Sequence, residues 1–129
     1  MRREFDFRAW HKKNKYMYHN VAIGVNNRVG YKMSPSSKKG KYVYEDIREV
    51  IVNAYTGGKD KKGKKIYVND IVEVGKRKTL GIAKWDKDKL CYKLESPGGR
   101  TVRGLEDPKR RNTMKVIGNI YENKDLLKD

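Results

Sequence analysis

Apolar residues in this chain recur at every second position, in short runs cut off by tight-turn signals. Phe5, Phe7 and Ala9 alternate with Glu4, Asp6 and Arg8; Val21, Ile23 and Val25 repeat the pattern, and Val29, Tyr31 and Met33 continue it. A period of two sends successive side chains to opposite faces of a strand. The breaks between runs carry turn chemistry: HKKNK at 11–15, Asn26-Asn27, GKRK at 75–78, DKDK at 86–89 and SPGGR at 96–100. Asn and Gly accept the positive φ that such turns require. Strands this short and this closely spaced point to an all-β barrel or sandwich. The pattern predicts strands over residues 4–10, 16–18, 21–25, 29–33, 71–74, 80–85, 90–95 and 101–105, and residues 114–121 form a short apolar run. The expected core includes Phe5, Phe7, Ile71, Val72, Val74, Ile82, Val116 and Ile117, although alternation also allows Val72 to face outward.

One segment reads two ways. In YVYEDIREVIVNAY, Ile47, Val50, Ile51 and Ala54 fit a helical stripe, while the β-branched run Val50-Ile51-Val52 favours a strand. The reading adopted is a helical turn over 45–48 followed by a strand over 49–56. The stretch SPSSKKGK at 34–41 is the longest loop signal and a candidate internal boundary. Residues 57–65 form a basic loop, and residues 122–128 read as a terminal helical turn. The expected architecture is therefore mainly β in a single domain over 1–129. An N-terminal β meander leads into a small SH3-like barrel-type part at 49–121, and a short C-terminal helical turn follows.

Only 36% of the residues are apolar, but nine Tyr, two Trp and two Phe supply large buried areas for a thin core. The 32 Lys and Arg against 16 Asp and Glu leave a net charge of +16, spread over both halves of the chain. A folded domain so charged repels itself unless polyanions screen it, and nucleic acid is the natural one. A genome-wide lysine bias is the competing explanation. There is one cysteine, Cys91, which excludes an intramolecular disulfide; within LCYKL it is expected to be a small buried thiol. The opening MRREFDFRAW has no apolar h-region, and no apolar run approaches the ~18 residues of a membrane span. A cytoplasmic protein without membrane contact is expected.

Four ordered blocks carry a family likeness: EFDFRAWHKKNKYMY at 4–18, AYTGGKDKKGKKIYVNDIVEV at 54–74, GIAKWDKDKLCYKL at 81–94 and VIGNIYENKDLL at 116–127. Together they resemble the YopX family of bacteriophage and prophage proteins. The likeness weakens around residues 20–48 and at 98–113. The family usually places Gly before the Asp of Asp-Ile-Val, where this chain has Asn69. Asn is the best substitute for Gly at positive φ, so the turn is expected to survive. The resemblance implies a mainly β fold, a phage origin and work in the host cytoplasm, and no established activity.

The catalytic motifs are weak. GKDKKGKK at 58–65 matches G-x-x-x-x-G-K, but Lys65 stands where a phosphate-binding loop needs Ser or Thr, and Ile66-Tyr67 does not open a helix. The more economical reading is a Lys-rich loop turned by Asp60 and Gly63. Asp86 and Asp88 form D-x-D among Lys84, Lys87 and Lys89, which suits a solvated hairpin turn better than a cation site. His11 and His19 lack ligand-spaced partners and are placed on turns. Ser34, Ser36 and Ser37 lack the context of a nucleophile. No catalytic residue, metal ligand or cofactor is assigned, and the chain is read as a non-enzyme.

What remains is positive charge interleaved with aromatic rings. The candidate nucleic-acid contacts are Lys59, Lys61, Lys62, Lys64 and Lys65; Lys76, Arg77 and Lys78; Lys84 and Trp85; and Lys109, Arg110 and Arg111. On small barrels such faces bind single strands by stacking plus phosphate contacts. Alternation equally places Trp85 and Tyr92 in the core with the lysines in water, and the core is the expected position of Trp85. The expected function is that of a phage accessory protein binding nucleic acid or a host nucleoprotein. The alternative is a protein-binding inhibitor or modulator of a host defence or replication protein.

Overall fold

The computed structural model describes residues 6–19, 21–23, 28–32, 42–105 and 108–127; at 22–23, 28–32, 42–45, 47 and 108–109 it describes the backbone alone. The candidate boundary loop 34–41, with Glu4, Phe5, Val25, Asn26, Asn27 and Met33, lies outside these residues. The chain is mainly β. Among the described residues the helical segments are 3₁₀ turns at Ile47–Glu49, Pro108–Thr113 and Lys124–Leu127. The chain divides into two compact units, Met1–Ala54 and Tyr55–Asp129.

In the first unit, β1 (Phe7–His11) pairs antiparallel with β2 (Tyr16–Tyr18) and with the first half of β6 (Val50–Lys59). β3 (Val21–Ile23), β4 (Arg28–Lys32) and β5 (Tyr42–Asp46) form a three-stranded antiparallel sheet. Ala9, Val21 and Val50 are buried together, with Phe7, Tyr18 and Val52 packed against them. The expectation that β1 buries only one face is corrected. Arg8 is buried as well as Ala9, and its Nε donates to Oδ1 of Asn53, its cross-strand partner, at 3.3 Å. His11 is also not a turn residue. It is the buried last residue of β1, and its Nδ1 accepts the Asn14 amide at 3.0 Å. The turn itself occupies 12–15 and closes with Lys15 at φ 51°. His19 is exposed just after β2.

The second unit contains the latter half of β6 and β7 (Lys65–Tyr67), then β8 (Asp70–Val74), β9 (Thr79–Asp86), β10 (Cys91–Glu95), β11 (Thr101–Gly104) and β12 (Met114–Asn119). Its five-stranded sheet has the order β11-β10-β9-β8-β12, antiparallel at each step, and curls as a half-barrel. Ile66, Val72, Val74, Ala83, Leu94, Met114 and Val116 form its core, with Val102 and Leu105 packed against them. Ile71 and Val72 are both fully buried although they point to opposite faces, so the inner strand β8 is covered on both sides at this point. Ile82 is buried too, whereas Phe7 and Ile117 are half-buried.

Two local features explain conspicuous sequence blocks. β6 runs on to Lys59, so the basic loop shrinks from 57–65 to 60–64 and Lys65 opens β7; the register from Tyr55↔Tyr67 to Lys59↔Lys65 shifts through a bulge. Asn69 does take the left-handed conformation, at φ 73°. Its N–H donates to Ala83 O at 2.8 Å, its carbonyl accepts Ile120 N at 3.0 Å, and its Nδ2 donates to Tyr121 Oη at 2.9 Å. In the terminal block, Asn119 Oδ1 accepts the amides of Tyr121 and Glu122, and the Asn123 side chain accepts Asn119 N. A Cβ at Gly118 would collide with the Asn123 side-chain amide, so this corner needs glycine.

Candidate functional site

In an antiparallel sheet, alternate turns fall at the same end. The turn 75–78 joins β8 to β9, and the turn 96–100 joins β10 to β11; both lie at one end of the second unit's sheet. β12 begins at this end, since Met114 faces Val74, and the 3₁₀ turn Pro108–Thr113 leads into it. The loop 60–64 is fastened to the same strand: Lys61 N donates to Met114 O at 2.9 Å. This end therefore gathers Lys61, Lys76, Arg77, Lys78, Arg100, Arg110 and Arg111, all exposed. Gly75 N donates to Thr113 O at 2.8 Å, which ties the turn 75–78 to the 3₁₀ segment.

Between these pieces lies an open cleft of about 370 Å³, lined by Lys61, Lys76, Lys78 and Lys115, by the single acidic side chain of Glu73, and by Gly75, Asn112, Thr113 and Met114. Four lysines against one glutamate give the lining an excess of positive charge. The volume is near the lower end of small-ligand pockets. The lining contains no aromatic ring.

Asp60 organises the loop that brings Lys61 here. The residue is 1% exposed. One carboxylate oxygen accepts the amides of Lys62 and Lys64, each at 2.9 Å, and the other accepts Val116 N on β12 at 3.0 Å. Burial acts to raise this carboxyl; the amides of Val116, Lys64 and Lys62, with the Lys64 charge, outweigh it and hold the group below the usual carboxylate range. Gly63, at φ 80°, lets its own N–H return to Asp60 O at 3.0 Å.

The YopX protein family model matches residues 6–128, nearly the whole chain. The chain belongs to the YopX family. Its fold is similar to the crystal structure of protein EF1440 from Enterococcus faecalis, with a TM-score of 0.69, 24% identity, and 97% of this chain and 99% of that one covered. It is also similar to protein yopX from Bacillus subtilis, with a TM-score of 0.56, 18% identity, and 95% and 98% covered. No curated protein matches the sequence.

The structure of this YopX-family chain regroups the residues singled out by sequence. Lys61, Lys76 and Lys78 meet at the cleft, with Arg77, Arg110 and Arg111 at the same end; of Lys109 only the backbone is described. Lys62 and Lys64 are exposed on the Asp60 loop, and Lys59 is exposed at the end of β6. Lys65 is committed elsewhere, its Nζ lying 5.1 Å from the centroid of the Tyr55 ring. The pairing of Lys84 with Trp85 as one patch is corrected: adjacent strand residues face opposite sides, and Lys84 Nζ reaches Asn69 Oδ1 at 3.4 Å. Trp85 in the core is corrected as well. It is 49% exposed, because it lies beyond the last core residues of β9 and β10, Ala83 and Leu94. Cys91 is half-buried rather than buried.

Sequence reasoning missed Lys115 and Arg100. Lys115 sits in an apolar run where alternation alone would have turned it away from Met114 and Val116. Arg100 ends a recognised turn, and counting turns along a meander would have placed it with 75–78. Among the described residues no three His, Cys, Asp or Glu side chains converge as a metal site, and no helix is long and apolar enough to cross a membrane.

Proposed function

We propose that this YopX-family protein is a non-catalytic accessory protein of phage or prophage origin, acting in the bacterial cytoplasm. It binds nucleic acid through phosphate contacts at the basic end of its second unit. The observation that carries the reading is the convergence of Lys61, Lys76, Lys78 and Lys115, from three separate chain segments, on one cleft. Lysines act on phosphates as point charges, which gives affinity with little sequence preference.

Fluorescence anisotropy with labelled oligonucleotides over a salt series tests it. Log K should fall linearly with log salt, by roughly 0.7 per phosphate contacted on single strands and 0.9 on duplex. Replacing Lys61, Lys76, Lys78 and Lys115 together by Ala should weaken binding to all sequences alike. It should also flatten the slope by up to about four such contacts. Absence of binding to DNA and RNA at about 50 mM salt, where phosphate contacts are strongest, would remove the reading and leave an acidic protein surface as the cleft's partner.

A further inference from the structure

One side chain in the cleft does not suit a phosphate. Glu73, on β8, lines the cleft together with Lys61, Lys76, Lys78 and Lys115. It is half-buried, and Lys115 on β12 is its cross-strand partner. Even so, among the described residues its carboxylate makes no ion pair and no side-chain hydrogen bond. An ionised carboxylate only accepts hydrogen bonds, so it repels phosphate oxygens and seeks a donor. A polyanion drawn in by the four lysines meets this repulsion unless it also brings a donor to Glu73.

A nucleic acid carries donors on its base edges and, in RNA, on the 2′-hydroxyl. The cleft favours the sugar. Its lysines hold phosphates, and its lining has no aromatic ring on which a base could stack. The 2′-hydroxyl sits on the carbon next to the one that bears the 3′-phosphate. A backbone held by the lysines therefore presents that hydroxyl inside the same cleft. A hydroxyl donating to a carboxylate makes a short, charge-assisted bond. In DNA the same position carries only hydrogen, and the carboxylate loses water without gaining a partner. A site that hydrogen-bonds a hydroxyl rejects the analogue lacking it, because its own polar group is left unpaired.

We infer that Glu73 reads the sugar: it accepts a ribose 2′-hydroxyl while the surrounding lysines hold the adjoining phosphates, so the ligand of the cleft is RNA. This inference rests on the nucleic-acid reading above and adds to it the kind of nucleic acid. It agrees with low sequence preference, since every ribonucleotide in a chain carries the same hydroxyl.

The test uses single strands of one sequence, about eight nucleotides long, as RNA, as DNA and as 2′-fluoro RNA, which keeps the ribose pucker without the donor. Each is titrated by fluorescence anisotropy against the wild-type protein, Glu73→Gln and Glu73→Ala. Wild type should bind RNA at least about fivefold more tightly than either of the other strands, as one hydrogen bond to a charged group requires. Glu73→Ala should bind all three strands about equally, and DNA more tightly than wild type does, because a repelling charge is gone. Glu73→Gln keeps an acceptor oxygen in place and should keep part of the RNA preference. The 2′-fluoro strand tests the donor on the wild-type protein alone, whatever the variants do to the fold. If wild type binds the three strands alike with a normal salt slope, the sugar reading is refuted and phosphate binding stands. If Glu73→Ala keeps the full preference for RNA, Glu73 is not its source and the inference is refuted as well. If no strand binds, the nucleic-acid reading itself is refuted.

Discussion

The loop 60–64 and the turn at 86–90 start from the same device and differ in what they are fastened to. In each, an Asp side chain at the end of a strand accepts backbone amides just ahead of it: Lys62 and Lys64 for Asp60, Asp88 and Lys89 for Asp86. Both carboxyls are held below the usual carboxylate range. For Asp86 the largest influence is the Lys89 amide, opposed by desolvation and helped by the Asp88 amide and the charges of Lys93 and Lys89. Asp60 has a third bond, to Val116 on a strand far away in sequence, and is buried; Asp86 bonds only within its own turn and beside Lys93. The comparison shows that an Asp turn becomes a tertiary anchor when its second oxygen finds a partner in another strand. At the basic end that anchor fixes the position of a lysine; at the opposite end the turn is only a turn.

Removing the anchor should give the largest effect. Asp60→Ala leaves three amides without their acceptor and should cost about 3 kcal/mol or more, read from urea unfolding. A cost near zero would mean that the loop is not held to β12 through this group. The same carboxylate sets a pH dependence. Because Asp60 titrates below its unfolded value of about 3.9, its contribution is complete above that pH and is lost as pH falls through the lower, folded value. Asp60→Asn should therefore unfold less steeply than wild type as the medium is acidified from about pH 5 downward.

An intermediate effect belongs to Asn69, at the end opposite the cleft. Asn69→Ala places a Cβ-bearing residue without a local hydrogen bond at φ 73° and should cost about 1–2 kcal/mol. Asn69→Gly relieves the backbone and loses only the side-chain bonds to Tyr121 and Lys84, so its midpoint should lie between those of Asn69→Ala and wild type. The reverse order would show that the side chain, and not the backbone, holds this corner.

The smallest effect is expected at Asp86. Asp86→Ala should shift the urea midpoint by much less than Asp60→Ala, since its turn is exposed and self-contained. Equal effects at the two aspartates would break the comparison.

What was legible in the sequence was local. Period-two alternation and Asn-, Gly- and Asp-containing turns identified β8 to β11 but not β7, and Asn69 was correctly read as a stand-in for glycine at positive φ. Asp60 and Gly63 were rightly seen as the residues that bend the basic loop. What was not legible depends on pairing between distant strands. Nothing near Asp60 in sequence announces Val116. The exposure of Trp85 follows from where β9 and β10 outrun the core, a length set by the neighbouring strands. Arg8 breaks the alternation of β1 because Asn53, 45 residues away, satisfies it. Lys84 and Trp85 were joined as neighbours in sequence, although a strand separates such neighbours onto opposite faces.

The three bonds made by the Asp60 carboxylate all come from main-chain amides, a donor that every amino acid except proline carries. The frame of the loop is thus set mainly by the backbone, and of the side chains it displays at 61, 62 and 64 only the Lys64 charge adds to it. Shape and charge are written in different residues and can drift separately under selection, so a relative that keeps Asp60 and Gly63 can retune or invert the loop's charge without rebuilding the fold.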